Sequence, residues 1–151
     1  ALLVEIQALV ARANFGMPER KVSGVDYNRV SMLLAILEKR IGLKLGGQDI
    51  FVNIVGGVQI DEPAADLGIA MTIASSFKEK VIPSDIVFVG EVGLGGEVRS
   101  VSQIEIRLKE AQRLGFKRAV IPKDNAKGIG KELGIERIEV CYLSEAVEII
   151  G

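Results

Sequence analysis

The sequence contains no histidine, and this absence excludes several kinds of catalytic site. A Ser–His–Asp triad, a Cys–His pair and a His-ligated metal centre all need an imidazole. A nucleophile in this chain would have to use a lysine or a carboxylate as its base. The single cysteine, Cys141, also excludes an internal disulfide and a zinc site built from thiolates. Because Cys141 lies in the apolar segment 138–143, we expect it to be buried in a strand.

The sequence also lacks a large excess of either charge and has no long apolar run. The formal net charge is −1, which argues against a domain whose whole surface binds nucleic acid but leaves room for a local basic surface. No apolar run approaches the ~18 residues of a membrane span, and neither a signal peptide nor a polybasic tail is recognisable. The sequence therefore predicts a cytoplasmic protein with no membrane partner. Its 151 residues, 48% of them hydrophobic, suffice for the core of one domain.

The hydrophobic pattern predicts an α/β (α+β) fold in which strands and helices alternate. Alternating apolar positions predict strands at 2–12, 21–24, 48–55, 86–90, 117–122 and 138–142. Apolar positions at helical spacing predict helices at 26–41, 64–78, 102–114 and 144–150, with a weaker helical turn at 128–134. Asp26 and Ser102 stand at the starts of two of these helices as candidate caps, and Glu105 lies at the capping-box spacing from Ser102.

The glycine-rich segment 90–98 raises the alternative of a dinucleotide-binding turn. Gly93 and Gly95 match the first two glycines of that fingerprint, but Val98 occupies the third position. We interpret the segment as a hairpin between two short strands, because glycine adopts the positive φ that tight turns need. The Gly-x-x-x-x-Gly-Lys-Ser/Thr motif of P-loop nucleotide hydrolases is absent from the sequence.

The segment 61–68, Asp-Glu-Pro-Ala-Ala-Asp-Leu-Gly, lies where a strand is predicted to pass into a helix. Such a turn can present a nucleophile beside free backbone N–H groups. The candidate position here is Ala64, which has no nucleophilic atom. In the structural alternative, Asp61 caps the helix, Pro63 begins it and Ala64 packs in the core.

The order of four motifs resembles the proteolytic domain of Lon proteases. The corresponding segments are 61–65 (Asp-Glu-Pro-Ala-Ala), 90–98 (Gly-Glu-Val-Gly-Leu-Gly-Gly-Glu-Val), 111–115 (Ala-Gln-Arg-Leu-Gly) and 119–125 (Ala-Val-Ile-Pro-Lys-Asp-Asn). The resemblance covers nearly the whole chain. It implies the Lon proteolytic-domain fold, a sheet packed with helices of the ribosomal protein S5 domain 2-like type.

The same resemblance implies that the catalytic Ser–Lys dyad is absent. In Lon-type peptidases the residue after the proline is the nucleophilic serine, and a lysine near the start of the later helix is its base. Those positions are Ala64 and Glu105 in this sequence, and Asp66 stands where a small glycine is usual. A carboxylate at Glu105 has the wrong charge to replace the lysine. We therefore predict no catalytic residue, no metal and no cofactor in this chain.

The departures from Lon are similar to one family of bacterial DNA repair proteins. Residues 2–10, 24–30 and 61–67 resemble the C-terminal Lon-like domain of the RadA (Sms) family. That resemblance implies, for a parent protein, an upstream zinc motif and a RecA-like, DNA-dependent ATPase core that uses ATP and magnesium. It also implies a hexameric ring that processes recombination intermediates by branch migration, with single-stranded or branched DNA as its partner. Because the chain opens inside an apolar run, we expect residues 1–151 to be one domain of a longer protein.

Three arginines are the candidate DNA-binding residues. Arg29 and Arg40 are eleven positions apart in the helix predicted at 26–41, which is close to three turns, so they lie nearly in register on one face. Leu33 and Ile36 lie between them, and Arg12 joins this surface if the first strand lies beside the helix. In the alternative, both helix arginines extend their aliphatic parts over the ends of a buried apolar stripe.

A second group of basic residues follows in the chain. Its members are Arg107, Lys109, Arg113, Lys117 and Arg118. Because Glu105 and Glu110 dilute their charge, we interpret this group as a solvated helix face.

Three functions remain open on this sequence. The first is a non-catalytic domain that supports ring assembly and contributes DNA contacts. The second is an oligomerisation module that makes no contact with DNA. The third is a peptidase with a non-standard pair such as Ser102 and Lys109, although Ser102 already has a role as a helix cap.

Overall fold

The computed structural model describes residues 3–14 and 16–151, so Leu2, the first residue of the strand predicted at 2–12, lies outside it. The strands are β1 (Ile6–Arg12), β2 (Arg20–Ser23), β3 (Gln48–Ile54), β4 (Ile86–Phe88), β5 (Glu91–Val92), β6 (Val98–Arg99), β7 (Arg118–Pro122) and β8 (Glu136–Val140). The helices are α1 (Tyr27–Ile36), continued by a π-helical turn at Leu37–Ile41, α2 (Asp66–Lys78), α3 (Ile104–Arg113) and α4 (Leu143–Ile149). Short 3-10 segments occupy Pro63–Ala65 and Lys123–Gly128. The mixed α/β class predicted from the sequence is confirmed.

The first sheet has the strand order β1-β3-β2. β1 pairs antiparallel with β3, and β2 pairs parallel with it. Along β3, Ile50, Val52 and Ile54 are buried and alternate with the more exposed Phe51 and Asn53, so one face of the sheet packs inward. Burial alternates in the same way along β1, as the sequence pattern predicts.

The second sheet has the order β4-β7-β8, and all its pairs are parallel. Its central strand is covered on both faces, because Ala119 and Ile121 pack into one apolar cluster and Val120 packs into the other. A strand that is buried on both faces needs a continuous apolar run, and β7 has one. Leu108 and Ala111 of α3 lie in the same cluster as Ala119, so α3 covers one face of this sheet.

Helix α2 contacts β1 of the first sheet and β4 of the second. It is buried on more than one side, since Leu67, Ile69, Ala70, Met71, Ile73 and Ala74 are all inaccessible to solvent. Gly68 lies where the two sheets approach the helix. A Cβ at this position would stand 3.4 Å from Ile6 Cδ1 and 3.8 Å from the carbonyl oxygen of Phe88.

No helix in the described part of the chain combines the length and the apolarity needed to cross a membrane.

The glycine-rich segment forms the predicted hairpin. β5 and β6 pair antiparallel, Gly93 N donates to Glu97 O at 2.9 Å, and Gly96 has a φ of 81°. In a dinucleotide-binding turn a helix follows the glycines. Here strand β6 follows them, so the segment is not a turn of that kind. Val98 N donates to Cys141 O at 2.8 Å, so the hairpin is tied to the chain just beyond β8.

The predicted caps and one predicted helical turn differ from the structure. Asp26 occupies the N-cap position of α1, as predicted, but its side chain makes no hydrogen bond to the start of the helix. α3 begins after Gln103, whose φ is 58°, so Ser102 is not its cap, and the Glu105 carboxylate binds Gly130 N instead of closing a capping box. The helical turn predicted at 128–134 does not form in that described segment, because the 3-10 segment Lys123–Gly128 ends at its first residue.

The burial of Cys141 is also predicted wrongly. The pairing of β8 with β7 begins at Glu136, opposite Arg118, and ends at Val140, opposite Pro122. Cys141 therefore follows the strand and is exposed. An apolar run alone does not show where strand pairing stops.

Candidate functional site

The strand-to-helix turn that could hold a nucleophile is filled by backbone and apolar contacts. Ala64 is only 4% exposed, and its carbonyl oxygen accepts from Gly90 N at 3.0 Å. Its N–H donates to Glu62 Oε1 at 3.3 Å. Pro63 begins the turn as predicted, but Glu62, and not Asp61, is the capping residue. The predicted alternative in which Ala64 packs in the core is therefore confirmed.

Glu105, at the other dyad position, lies in the first turn of α3. Its Oε1 accepts from Gly130 N at 2.7 Å, which ties α3 to the segment between β7 and β8. Ile104, the residue before it, packs in the same apolar cluster as Ala64. A methyl group therefore stands at one of the two predicted dyad positions, and a hydrogen-bonded carboxylate stands at the other.

Arg107 follows Glu105 by two residues in α3 and is buried. Its Nε donates to Ser102 O at 2.8 Å, and its Nη2 lies 3.3 Å from Glu62 Oε1. The interpretation of this residue as part of a solvated face is wrong. Sequence spacing could have indicated its burial, because Arg107 lies three and four residues from the buried Ile104 and Ala111.

A cleft of about 760 Å³ opens beside Ala64. Its walls are the start of the described chain at residues 3–6 and strand β4, and α2 contributes Gly68 and Thr72 to its surface. The charged residues in its lining are Glu5, Glu62 and Arg107. The cleft is mainly apolar, and Ala64, the predicted position of the nucleophile, contributes no hydroxyl or thiol to it.

Arg29 is held by a carboxylate. Its Nε donates to Asp66 Oδ1 at 2.6 Å, its Nη2 donates to Asp66 Oδ2, and Glu91 Oε2 lies 3.7 Å from Nη2. Asp66 is 1% exposed and also accepts from Val92 N at 3.1 Å. Burial raises the pKa of the Asp66 carboxyl above its usual value, although the hydrogen bonds from Arg29 and Val92 oppose this shift. Hydrogen bonding to Asp66 raises the pKa of the Arg29 guanidinium.

The other two candidate DNA-binding arginines are exposed. Arg40 Nε donates to Leu94 O at 3.2 Å, so its side chain lies on the glycine-rich hairpin. Arg12 ends β1 opposite Gln48. No ion pair joins Arg12 or Arg40 to a carboxylate in the part of the chain that the structure describes.

The apolar surface expected between Arg29 and Arg40 does not form. Leu33 and Ile36 are both buried in the main core cluster, so they do not contribute to a surface. The stripe is buried, as the alternative interpretation expects, while the guanidinium groups of Arg29 and Arg40 are held by Asp66 and by the Leu94 carbonyl oxygen.

The remaining candidate groups are not assembled into a site. Ser102 and Lys109 are both exposed, and no hydrogen bond joins them within the described chain. Ser102 instead contributes its carbonyl oxygen to Arg107. Among residues 3–14 and 16–151, no group of three or more His, Cys, Asp or Glu residues is placed to hold a metal ion.

These features define a mixed α/β domain with an apolar cleft beside a strand-to-helix turn that lacks a nucleophile. The chain belongs to the family described as subunit ChlI of Mg-chelatase, whose sequence model matches residues 7–125.

Its curated relatives carry a different description, DNA repair protein RadA. The chain is 53% identical over 146 residues to RadA of Bacillus subtilis (strain 168), which covers 97% of the chain and 32% of that relative. It is 51% identical over 148 residues to RadA of Halalkalibacterium halodurans, covering 98% of the chain and 32% of the relative. For RadA of Aquifex aeolicus the identity is 47% over 149 residues, covering 99% and 33%. The predicted resemblance to the RadA family is confirmed, and the chain spans about a third of the length of these relatives.

Proposed function

We propose that this chain is a non-catalytic, Lon-like domain of a RadA-type DNA repair protein, which supports the assembly of a hexameric ring and contributes contacts to DNA. The observation that carries the proposal is the similarity to proteins named DNA repair protein RadA over almost the whole chain. Because the chain spans only about a third of those relatives, the ATPase core, ATP, magnesium and the zinc motif belong to the proposed parent protein. DNA repair in bacteria takes place in the cytoplasm, where we place the protein.

The absence of catalysis is supported by the residues at the dyad positions. Ala64 offers only a methyl group, and the carboxylate of Glu105 is engaged by Gly130 N. Restoring a hydroxyl at Ala64 alone would not restore the dyad, because a carboxylate is a much weaker base than a neutral lysine amine and the Glu105 carboxylate already accepts from Gly130 N. The Lon-like order of motifs is therefore proposed to reflect a shared fold and not a shared reaction.

The family description names a magnesium chelatase subunit, whereas the curated relatives are named for DNA repair. One family that includes proteins described so differently is best explained by a domain that serves several larger proteins. We assign the DNA repair role because the identities of 47–53% to RadA extend over nearly all of this chain.

Arg12 and Arg40 are the arginines that we propose for contact with DNA phosphates. Both are exposed, and their charges are not neutralised by a carboxylate in the described chain. Arg29 is a weaker candidate, because Asp66 and Glu91 compensate its charge. In a ring, a modest site on each subunit is repeated by symmetry, so weak contacts add through multivalency.

The test is DNA binding by the chain over a series of salt concentrations, with the oligomeric mass measured by light scattering in the same samples. Single-stranded and branched DNA should both bind more weakly as salt rises. The double variant Arg12→Ala/Arg40→Ala should lower the slope of log affinity against log salt by about 2 for each bound chain. The matched control Lys123→Ala/Lys131→Ala removes the same charge from two other exposed positions that form no ion pair in the described chain, and it should leave more of the slope intact.

Two results contradict parts of this proposal. An assembled ring that binds no DNA at low salt would leave the second function, an oligomerisation module without DNA contact. Binding that is unchanged in Arg12→Ala/Arg40→Ala would move the DNA contacts to other residues.

A further inference from the structure

The outer face of the first sheet is exposed and apolar at its centre. Leu9 of β1 lies directly opposite Phe51 of β3, and Phe51 lies opposite Lys21 of β2. Leu9 is 57% exposed. A shallow depression of about 380 Å³ follows this face across all three strands. We call the residues Gln7, Leu9, Lys21, Ser23, Phe51 and Asn53 the open sheet face.

Acidic residues surround the open sheet face. Asp49 of β3 shares its side of the sheet, because side chains alternate along each strand. Glu5 and Glu19 directly precede β1 and β2 and continue the same alternation, since their carbonyl oxygens still accept from Val55 N and Ile50 N of the neighbouring chain segment. Lys21 is the cation among them, and its Nζ lies 3.7 Å from Glu19 Oε2. The negative charge disfavours DNA phosphates on this face. It also disfavours a contact between two copies of the same face, since like charges would then be opposed.

A surface of complementary character lies on α3. The helix buries Ile104, Arg107, Leu108 and Ala111 and turns its opposite side to solvent. Ile106, Lys109 and Arg113 recur there at helical spacing, and Ile106 is 53% exposed. Arg113 pairs with Glu110 at 3.0 Å, whereas Lys109 forms no ion pair in the described chain. We call Ile106, Lys109 and Arg113 the α3 outer stripe.

We propose that the open sheet face binds the α3 outer stripe of a second copy of this chain. A helix that carries one central apolar side chain can lie across a three-stranded sheet, with Ile106 against Leu9 and Phe51. The aliphatic parts of Lys109 and Arg113 would cover apolar surface while their charges face the acidic residues. The proposal rests on the ring assembly proposed above and assigns its interface.

The two surfaces lie on different parts of the chain, so the contact is head-to-tail. Such a contact leaves one free surface at each end of a dimer, and it therefore continues until a ring closes or a filament forms. Because opposite charges border the apolar centre, the assembly should weaken as salt rises. This dependence separates the contact from a purely apolar one.

The test uses Leu9→Asp and Ile106→Asp, analysed by sedimentation over a range of protein concentrations. Both side chains are more than half exposed, so each variant should fold, as circular dichroism and thermal unfolding will check. The unaltered chain should assemble with rising concentration, and each variant alone should be monomeric. An equimolar mixture of the variants should form dimers and nothing larger, because each variant retains the surface that the other has lost.

The matched control is Leu94→Asp, which introduces the same change at a side chain that is 68% exposed on the hairpin. It should assemble like the unaltered chain. Assembly that survives in both variants would overturn the assigned interface but leave the proposed ring role intact. A mixture that stays monomeric would overturn the head-to-tail contact. An unaltered chain that is monomeric at every concentration would overturn both this contact and the proposed assembly, independently of the DNA measurement.

Discussion

Arg29 and Asp66 form an ion pair that joins the first turn of α1 to the first turn of α2. The same carboxylate accepts from Val92 N at 3.1 Å, so it also fixes β5 of the glycine-rich hairpin. Asp66 is inaccessible to solvent, whereas 30% of the Arg29 side chain is exposed. A carboxylate in such a place depends on its partner, because an unpaired buried charge is strongly unfavourable.

Arg29→Ala should lower the free energy of unfolding by about 3 kcal/mol, because removing one partner of a buried pair leaves the other uncompensated. This figure is at the lower end of the usual range, since Arg29 is partly solvated. Urea unfolding followed by circular dichroism measures the loss. Arg12→Ala is the matched control and should change stability by less than about 0.5 kcal/mol. Equal losses in the two variants would show that the Asp66 carboxylate does not depend on Arg29.

The contribution of Asp66 to stability should fall as the pH rises. Burial holds the pKa of this carboxyl above its ordinary value of 3.8, so the folded chain keeps the proton that the unfolded chain has released. The stability contributed by Asp66 is therefore greatest below pH 3.8, declines as the pH rises to the raised pKa, and is constant above it.

This dependence is measured as the difference in unfolding free energy between the unaltered chain and Asp66→Asn, from about pH 3 to about pH 7. Asparagine does not titrate, so the other carboxyl groups, including the neighbouring Glu91, largely cancel in the difference. A difference that grows with pH would mean that pairing with Arg29 outweighs burial and that the pKa of Asp66 is lowered.

The periodic patterns of the sequence predict the helices and strands of this fold well, but not the contacts at their ends. The alternation in β1 and the helical spacing from Val30 to Leu37 arise from burial of one face, which a pattern records directly. Ser102 has a favourable residue type for a cap, yet Gln103 takes the left-handed conformation and α3 begins after it. The Ser102 carbonyl oxygen instead accepts from the Arg107 side chain five residues later, a contact that the residue type of Ser102 does not predict.

For the candidate site, too, the sequence predicts positions along the chain but not the contacts between distant residues. The positions of Ala64 and Glu105 follow from the order of motifs along the chain. The pairing of Arg29 with Asp66, 37 residues away, does not follow from helical spacing, because spacing shows which residues share a face and not what lies opposite that face. Helical spacing could likewise have placed Arg107 on the buried face of α3, but it does not show that Glu62 and the Ser102 carbonyl lie there to make the burial acceptable.

Gly24→Ala should destabilise the chain by more than about 1 kcal/mol. Gly24 has a φ of 92°, and a Cβ there would stand 2.6 Å from Ile54 Cβ and 2.9 Å from the carbonyl oxygen of Val58. The backbone conformation and the space both exclude a side chain. Gly47→Ala is the control, since a Cβ at Gly47 would meet no atom within 4 Å. Urea unfolding should separate the two variants, and equal midpoints would mean that residues 55–60 move aside easily.

Glu105→Ala should loosen the segment between β7 and β8, because Gly130 N then loses the acceptor that lies 2.7 Å away. Leaving a partly buried donor without a partner typically costs about 1–3 kcal/mol. Glu105→Gln is the matched variant, since its side-chain oxygen can still accept this hydrogen bond and its stability should stay closer to that of the unaltered chain. Amide hydrogen exchange at Gly130, followed by NMR, measures the local effect: exchange should accelerate in Glu105→Ala much more than in Glu105→Gln. Equal acceleration in both variants would show that the negative charge of Glu105, and not the hydrogen bond itself, holds this segment against α3.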